Sequence, residues 1–179
     1  MHTRTQRITY SALFAAVLSL SAFIRIPMGP VPLTMQSAAA LTAGYCLGPR
    51  LGMASTLLYT FIGLAGVPVF ASGGGPMYVL SPSFGYIIGF TLCALITGFL
   101  ARFNTRGSFI IAYLIMLAGL AGIYTPGVLW LITILHHVAG VPRDIASLMK
   151  IGLVIPLIGD LITTLPAVFV SVRLRKILS

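Results

Sequence analysis

The chain has 179 residues, of which 58% are hydrophobic and 7% are charged, and its mean hydropathy is +1.06. A soluble protein of this length cannot bury so large an apolar fraction, so the composition predicts an integral membrane protein. The formal net charge of +9 does not indicate a nucleic-acid-binding protein, because the cations cluster at the ends of apolar segments, where positive charge sets membrane orientation. We expect one all-α membrane domain over residues 1–179.

The first predicted helix runs from about Ile8 to Ile26. Its apolar run is long for a signal peptide and lacks a small-residue cleavage site, so we expect it to be retained. Ala12 and Ala16 form one strip of small residues, and an adjoining strip consists of Ser11, Ala15 and Ser19. Such strips allow another helix to approach closely, and that helix can belong to a partner protein or to the same chain.

The second predicted helix is short, and it begins at Thr34 or Gln36 and ends at Leu47. Prolines between residues 27 and 32 prevent the first helix from continuing into it. The short helix covers only about 20 Å of a hydrocarbon core about 30 Å thick, at about 1.5 Å per residue. The proline-rich segment must therefore cover part of the depth, which places Thr34 and Gln36 beside irregular backbone inside the protein.

A turn is predicted at residues 48–50, and the third helix follows from Leu51 to about Gly66. The segment 67–86 is then too rich in glycine and proline for a helix and too apolar for a solvated loop. No formal charge occurs from Leu51 to Ala101, so we expect this segment at membrane depth. Irregular backbone survives there only where protein covers it or where it lines a polar cavity, which makes the segment a candidate lid over a ligand. The alternative is a simple connection outside the bilayer.

Three further membrane helices are predicted over residues 83–101, 108–135 and 153–174. Pro126 is expected to kink or end the fifth helix. Asp144 is a candidate N-cap for a separate short helix that ends at Lys150.

Six spans would place both termini on the same side of the membrane. Eight of the 11 Lys and Arg residues would share that side, whereas Arg25, Arg143 and Lys150 would lie opposite. The positive-inside rule then places both termini in the cytoplasm and the candidate lid outside the cell.

Asp160 is one of only two acidic residues, and it lies inside the last apolar segment. An ionisable side chain there is costly, so it is expected to face the bundle interior or a wet cavity and to mark a functional site. Thr163 and Thr164 follow on the same helical face. The alternative is a structural ion pair between Asp160 and Arg25 or Lys150.

No arrangement of residues indicates an enzyme. His136 and His137 are adjacent and cannot direct both rings to one helical face, which argues against a metal site. The glycines at 73–75 lack the following Lys of a phosphate-binding loop. Ser81 and Ser83 lack a His and carboxylate relay. Two carboxylates in 179 residues also leave little for acid–base catalysis.

The motifs taken together resemble the BioY family, the biotin-specific substrate-binding subunits of energy-coupling-factor (ECF) vitamin transporters. The residues that carry the resemblance are Pro30–Gln36, Leu47–Gly52, Gly66–Gly75, Pro82, Gly85, Tyr86, Tyr124, Gly127, Trp130, Gly159 and Asp160. The resemblance spans the chain. It implies six membrane helices, external loops 1–2 and 3–4 folded over a biotin pocket, and docking of helix 1 on a transmembrane coupling subunit that is driven by two ATPase subunits.

The resemblance also assigns roles to residues. Ala12 and Ala16 match the family's Ala-xxx-Ala docking motif. Asp160 matches the Asp of the family's Gly-Asp-x-x-Lys motif, whose Asp and Lys both contribute to the ligand site, but Thr163 stands at the Lys position. The residues expected to bind substrate are Asp160, Thr163, Gln36, Thr34, Tyr86, Ser81, Gly74 and Trp130.

The missing cation predicts either weaker binding of an anionic ligand or a preference for a biotin relative or another vitamin. The leading hypothesis is a biotin-capture subunit for ATP-driven uptake in a bacterial-type cell membrane, without a cofactor, a metal or a nucleic-acid partner. A solitary carrier is an alternative within transport. A small membrane enzyme or an assembly protein is the alternative from a different class.

Overall fold

The structure, a computed structural model, describes residues 3–27, 31–138 and 144–178. Its helices are α1 (Arg4–Ser21), α2 (Gln36–Leu64), α3 (Phe84–Leu100), α4 (Phe109–Thr133), α5 (Ile145–Met149) and α6 (Ile155–Leu178). Two short strands, β1 (Arg25–Ile26) and β2 (Leu33–Thr34), pair in antiparallel orientation. Short 3-10 helices occupy Pro76–Leu80 and Ala101–Phe103, and π-helical segments occupy Ile134–Val138 and Lys150–Val154.

Three helical stretches are long and apolar enough to cross a membrane, namely Phe84–Phe103, Phe109–His136 and Ile145–Ile177. The prediction of a helical membrane protein is thus confirmed, whereas the prediction of six spans stays a prediction. The helix α2 has 29 residues but is interrupted at Gly48, where φ is +79° and ψ is 177°. Glycine adopts this conformation readily because it has no Cβ, and the predicted break between the second and third helices is confirmed.

The predicted end of the first helix at Ile26 is wrong. The helix α1 ends at Ser21, because Arg25 and Ile26 leave the helix to pair with Thr34 and Leu33 of β2. The amide of Met35 also donates to the carbonyl of Ile24, at 3.2 Å. These bonds form with a segment that is distant in the sequence, so the apolar pattern of the first helix gave no sign of them.

The fifth predicted helix does not end at Pro126. The helix α4 continues through Pro126 to Thr133, as membrane helices do where neighbouring helices support the freed carbonyl groups. Asp144 lies at the N-cap of α5 but makes no capping hydrogen bond with its side chain. The predicted short helix corresponds to α5, which ends at Met149 with Lys150 at its C-cap, and a π-helical segment then joins it to α6.

Small residues allow the central helices to pack closely. The helix α2 packs against α1, α3 and α6, and α3 packs against α4. A Cβ atom on Gly44 would lie 2.6 Å from the carbonyl oxygen of Ala94, and one on Gly89 would lie 2.7 Å from the Cα of Ile123. Only glycine permits these approaches of backbone to backbone, which is the packing mode of helices in membranes.

The glycine-rich segment 65–83 folds back over one end of the bundle. Gly73 and Gly75 adopt φ values of +124° and +103°, and the amide of Gly75 donates to the carbonyl of Gly63 at 2.7 Å. Phe70 is buried, and its ring contacts the ring of Tyr59 edge-on, with centroids 5.4 Å apart. The segment is therefore a packed cover and not a free connection.

The bundle has two ends of different character. The first, here called the loop end, carries the segments 22–27, 31–35 and 65–83. The second, the charged end, carries the α2 break, the turn 101–108 and the last turns of α6, which are joined by hydrogen bonds from Asn104 to Tyr45 (2.8 Å) and from Arg175 to Ala101 (2.6 Å). Tyr10 and Leu174 line one groove, so α1 starts at this end. The cations at the charged end are Arg4, Arg7, Arg50, Arg102, Arg106, Arg173, Arg175 and Lys176.

Candidate ligand-binding site

A cavity at the loop end collects side chains from segments that are far apart in the chain. Its wall is formed by the segment around β2, the cover segment 65–83 and the helices α3, α4 and α6. Its lining residues include Val31, Thr34, Gln36, Ser37, Ala71, Tyr78, Ser83, Tyr86, Phe90, Tyr124, Pro156 and Asp160. Among the described residues, the wall contains one carboxylate and no Lys, Arg or His side chain.

Asp160 is the charged group of this cavity, and it is only 3% exposed. Its Oδ2 atom accepts a hydrogen bond of 2.7 Å from the hydroxyl of Tyr124. Its Oδ1 atom is buried and accepts no hydrogen bond within the described part of the chain. Because an ionised carboxylate accepts several hydrogen bonds, Asp160 retains acceptor capacity for a ligand.

Gln36 connects the cavity wall to the second half of α2. Its side chain is 3% exposed, and its Nε2 atom donates to the hydroxyl of Tyr59. Its Oε1 atom accepts a bond of 3.3 Å from the hydroxyl of Thr34, which also accepts a bond from the Gln36 amide at 3.3 Å. Since Tyr59 in turn donates to the carbonyl of Val69 at 3.4 Å, this chain of bonds reaches the cover segment.

Hydroxyl groups also organise the opposite wall. The Tyr78 and Ser83 hydroxyls are 3.1 Å apart, and the Ser81 and Ser83 hydroxyls are 2.9 Å apart. The hydroxyl of Tyr86 donates to the carbonyl of Gly152 at 2.6 Å, which fixes its ring edge-on to Tyr124 with centroids 5.9 Å apart. The wall thus combines aromatic faces with a few oriented polar groups, as ligand sites for small molecules do.

The cavity is narrow in this structure, with a volume of about 40 Å³. At about 10–15 Å³ per water, that space holds about three water molecules. A larger ligand therefore requires movement of the segments that cover the loop end.

The structure brings together four of the residues predicted to bind substrate, since Asp160, Gln36, Thr34 and Tyr86 line the cavity. Ser81 does not line the cavity, but its hydroxyl is hydrogen-bonded to that of Ser83, which does. The remaining three predicted residues, Gly74, Trp130 and Thr163, lie outside the wall.

Gly74 and Trp130 belong to the support of the cover segment. A Cβ atom on Gly74 would collide with the carbonyl group of Val67. The indole of Trp130 donates to the carbonyl of Val79 at 3.2 Å and contacts the ring of Phe84. Both residues therefore hold the cover in place and do not face the cavity.

Thr163 faces a different part of the molecule from Asp160. It lines an apolar groove between α1 and α6 with a volume of about 560 Å³, beside Phe14, Met35 and Pro166. Its hydroxyl donates to the backbone carbonyl of Asp160 at 3.2 Å, as that of Thr164 does at 2.6 Å. Side chains three positions apart on a helix are offset by about 60°, which is enough to place them in different spaces.

The two small-residue strips on α1 have different surroundings. Ser11 and Ala15 are buried against the rest of the protein, whereas Ala12 and Ala16 are exposed. One strip therefore serves packing within the chain, and the strip predicted to dock a partner is free to do so.

Several residues of the wall were not predicted to bind substrate. Ser37 follows Gln36 in the chain and lies near the Asp160 carboxylate, and the hydroxyl of Ser83 lies close to those of Ser81 and Tyr78. Tyr124 was part of the family motif but was given no role. Its position two residues before Pro126, on a helix that faces α6, becomes informative only once the bundle is assembled.

Comparison with known proteins identifies the family. The family model described as BioY matches residues 1–179. The chain belongs to the BioY family. A probable biotin transporter BioY from Lysinibacillus sphaericus is 38% identical over 93% of this chain and 85% of its own length. A second one, from Pyrococcus horikoshii, is 42% identical over 72% of this chain and 75% of its own length.

Two further similarities concern another relative and a solved structure. The biotin transporter BioY from Thermotoga maritima is 33% identical over 93% of this chain and 94% of its own length. A crystal structure of the S-component for biotin from an ECF-type ABC transporter matches with a TM-score of 0.83 and 28% identity, covering 98% of this chain and 95% of that one. The BioY family is a family of transporter components and not of enzymes. Among the described residues no cluster of His, Cys, Asp or Glu could hold a metal ion.

Proposed function

We propose that this chain captures biotin at the loop end and delivers it for ATP-driven uptake, as the substrate-binding subunit of an ECF transporter. Membership of the BioY family and the similarity to the S-component for biotin support the proposal. The observation that carries it is the Asp160 carboxylate, which is buried in the cavity and has one oxygen without a hydrogen bond among the described residues.

The chemistry of this carboxylate fits the ureido ring of biotin. The ring offers two N–H donors, and a carboxylate is an acceptor-only group. A charge-assisted hydrogen bond between them contributes about 1.5–3 kcal/mol. The aromatic side chains of Tyr78, Tyr86 and Phe90 supply apolar surface for the rest of the bicyclic ring.

Biotin itself carries a carboxylate at neutral pH, and its orientation in the site follows from charge. The described part of the cavity wall contains Asp160 and no cation. Two carboxylates in one buried site repel each other. We therefore infer that the ureido ring lies at Asp160 and that the carboxylate of biotin lies at the mouth of the cavity.

Access to the site requires opening of the cover. The segment 65–83 and the segment around β2 enclose the cavity, and the chain of hydrogen bonds from Thr34 through Gln36 and Tyr59 to Val69 joins the two. We infer that these segments separate to admit biotin and close over it.

The remaining parts of the proposal concern the membrane and the partners. We infer six membrane spans, with both termini in the cytoplasm, because eight cations lie at the charged end and positive charge marks the cytoplasmic side. The exposed strip of Ala12 and Ala16 fits close docking of the ECF transmembrane coupling subunit, which two ATPase subunits would drive.

The test is isothermal calorimetry of the purified full chain with biotin, dethiobiotin and thiamine. Wild-type protein is expected to bind biotin more tightly than the other two. Asp160→Asn keeps the shape of the side chain but removes the charge, so biotin affinity is expected to fall about tenfold to a hundredfold, at about 1.4 kcal/mol per tenfold change.

Asp144→Asn is the matched control, because it removes the other acidic side chain of the chain from an exposed position. Its biotin affinity is expected to equal that of the wild type. Wild-type protein without measurable biotin affinity, or with a higher affinity for thiamine or dethiobiotin, would overturn the assignment of the substrate.

A further inference from the structure

A second polar cavity lies at the charged end, between the turn that joins α3 to α4 and the last turns of α6. Its volume is about 290 Å³. The side chains of Arg106, Arg175 and Lys176 line it together with Tyr45 and Asn104. The biotin site is at the opposite end of the bundle, so the proposed function leaves this cavity without a role.

Buried hydrogen bonds hold the wall of this cavity in place. The side chain of Asn104 is 3% exposed. Its Nδ2 atom donates to the hydroxyl of Tyr45 and to the carbonyl of Ser108, both at 2.8 Å, and its Oδ1 atom accepts from the amide of Ser108 at 2.9 Å. The turn that carries Arg106 is therefore tied to α2 and to the start of α4.

The guanidinium group of Arg175 is also held in position. Its Nη1 atom donates to the carbonyl of Ala101 at 2.6 Å, and its Cζ atom lies 5.2 Å from the centroid of the Tyr45 ring. An arginine has five N–H donors in a planar fork that matches the oxygens of a phosphate group. Part of the fork remains for a ligand in the cavity.

No carboxylate side chain of this chain can neutralise these cations. The sequence contains two acidic residues, and one of them, Asp160, lies in the cavity at the loop end. The other, Asp144, precedes a helical run from Ile145 to Ile177. At about 1.5 Å per residue that run separates Asp144 from Lys176 by about 45 Å.

Apolar side chains follow the cationic residues directly in the chain. Phe109 and Ile110, shortly after Arg106, are 45% and 75% exposed, and Ile177, next to Lys176, is 79% exposed. A molecule with an anionic phosphate group and acyl chains can therefore satisfy both the cavity and its surroundings. Basic pockets between membrane helices bind lipid headgroups in this way.

We propose that this cavity binds a phosphate group, and that an anionic phospholipid of the adjacent leaflet supplies it. The phosphate contacts Arg106, Arg175 and Lys176, and the acyl chains lie along the apolar ends of α4 and α6. Arg102 at the same end has a different setting, because it stacks on the ring of Phe99 outside the cavity, with its Cζ atom 5.3 Å from the centroid.

The test is a lipid titration of the purified full chain in detergent, followed by native mass spectrometry. Wild-type protein is expected to retain phosphatidylglycerol about a hundredfold more strongly than phosphatidylcholine, because three cations lie beside the headgroup and favour a lipid with net negative charge. The double variant Arg106→Gln/Lys176→Gln is expected to lose that preference. Both side chains are exposed, so the replacements leave the buried bonds of Asn104 and Arg175 intact.

The matched control is Arg50→Gln/Arg102→Gln, which removes the same charge from exposed positions outside the cavity. It is expected to keep the preference for phosphatidylglycerol. Equal retention of the two lipids by the wild type, or an equal loss in both double variants, would overturn the proposal. Inorganic phosphate, added at the concentration of the lipid, is expected not to displace it. Displacement would overturn the lipid as the source of the phosphate group.

Discussion

The two ends of this bundle hold cavities with opposite charge. Of the residues that the structure describes, the cavity at the loop end contains the carboxylate of Asp160 and no cation. The cavity at the charged end contains the side chains of Arg106, Arg175 and Lys176 and, within the same described ranges, no carboxylate. Each cavity is built from segments that are distant in the sequence and joined by buried hydrogen bonds, through Tyr124 at one end and through Asn104 at the other.

This difference in charge shows how a chain with few charged side chains can use them. Charged groups in a membrane protein usually pair with each other, because an unpaired buried charge is costly. Here Asp160 lies at the loop end, and the eight cations of the charged end are too far away to pair with it. A ligand can then supply the missing partner at each end, with N–H donors at Asp160 and an anionic group at the charged end.

The largest effect is expected from substitutions on the exposed face of α1, between the two ends of the bundle. Ala12→Leu/Ala16→Leu adds bulk to the exposed strip of α1, which widens the closest approach of a partner helix. Biotin uptake by cells that express the variant with its ECF partners is expected to be abolished. Biotin binding by the purified chain is expected to be unchanged, because neither cavity involves this strip.

The matched control makes one Ala-to-Leu substitution on another exposed surface. Ala121→Leu lies on the exposed face of α4 and is expected to leave uptake unchanged. Recovery of an intact complex between the double variant and the coupling subunit would contradict docking through this strip.

Local patterns predicted much of this architecture. The apolar run around Asp160 predicted that its side chain is buried, because an ionisable group is expelled from hydrocarbon. Gly48 and the following Pro49 predicted the break in α2, since both residues act on their own backbone. The cations at the apolar segment ends predicted one strongly charged end.

The features that the sequence did not predict depend on contacts between distant segments. The strand pairing of Arg25 with Thr34 ends α1 early, and no local pattern shows it. Tyr124 lies 36 residues before Asp160. Its hydroxyl can donate to Asp160 only because α4 packs against α6. Thr163 was expected beside Asp160 from helical spacing, but the groove along α1 determines which way it faces.

The next largest effect is expected from a substitution in the cover segment of the loop end. A Cβ at Gly74 would collide with the carbonyl group of Val67 and lie 3.1 Å from the carbonyl oxygen of Gly63. Gly74→Val therefore displaces the cover, at a cost of about 1–3 kcal/mol, and biotin affinity measured by calorimetry is expected to fall about tenfold.

A glycine of the charged end serves as the comparison. Gly107 adopts φ +67°, but its Cβ would find only the side chains of Lys176 and Val172, at 3.5 and 3.7 Å. Gly107→Ala is expected to lower stability by about 1–2 kcal/mol through backbone strain and to leave biotin affinity unchanged. Equal losses of biotin affinity in the two variants would contradict a separate role for each end.

A smaller effect is expected from the neighbour of the acid. Tyr124→Phe removes the hydroxyl that donates to Asp160 at 2.7 Å and leaves the ring in place. The carboxylate then loses a charge-assisted hydrogen bond that orients it, and biotin affinity is expected to fall about fivefold to tenfold. Tyr113→Phe is the control, because Tyr113 lies on the same helix but outside the cavity. A fall of the same size in the control would contradict this role of the hydroxyl.

The smallest effect is expected when a cation is added near the loop end. Thr163→Lys restores the residue that the family motif has at this position, but Thr163 faces the apolar groove along α1 and not the cavity. The long side chain can extend along the groove toward the membrane surface, so the ammonium group does not pair with Asp160. Biotin affinity is expected to change less than about twofold, which is under about 0.4 kcal/mol.

Thr163→Met is the control, because it fills the same part of the groove without charge. If calorimetry shows tighter biotin binding for Thr163→Lys and not for Thr163→Met, the ammonium group reaches the ligand, and the separation of the groove from the cavity is wrong. If both variants bind as the wild type does, the acid of the loop end recognises its ligand without any cation from α6.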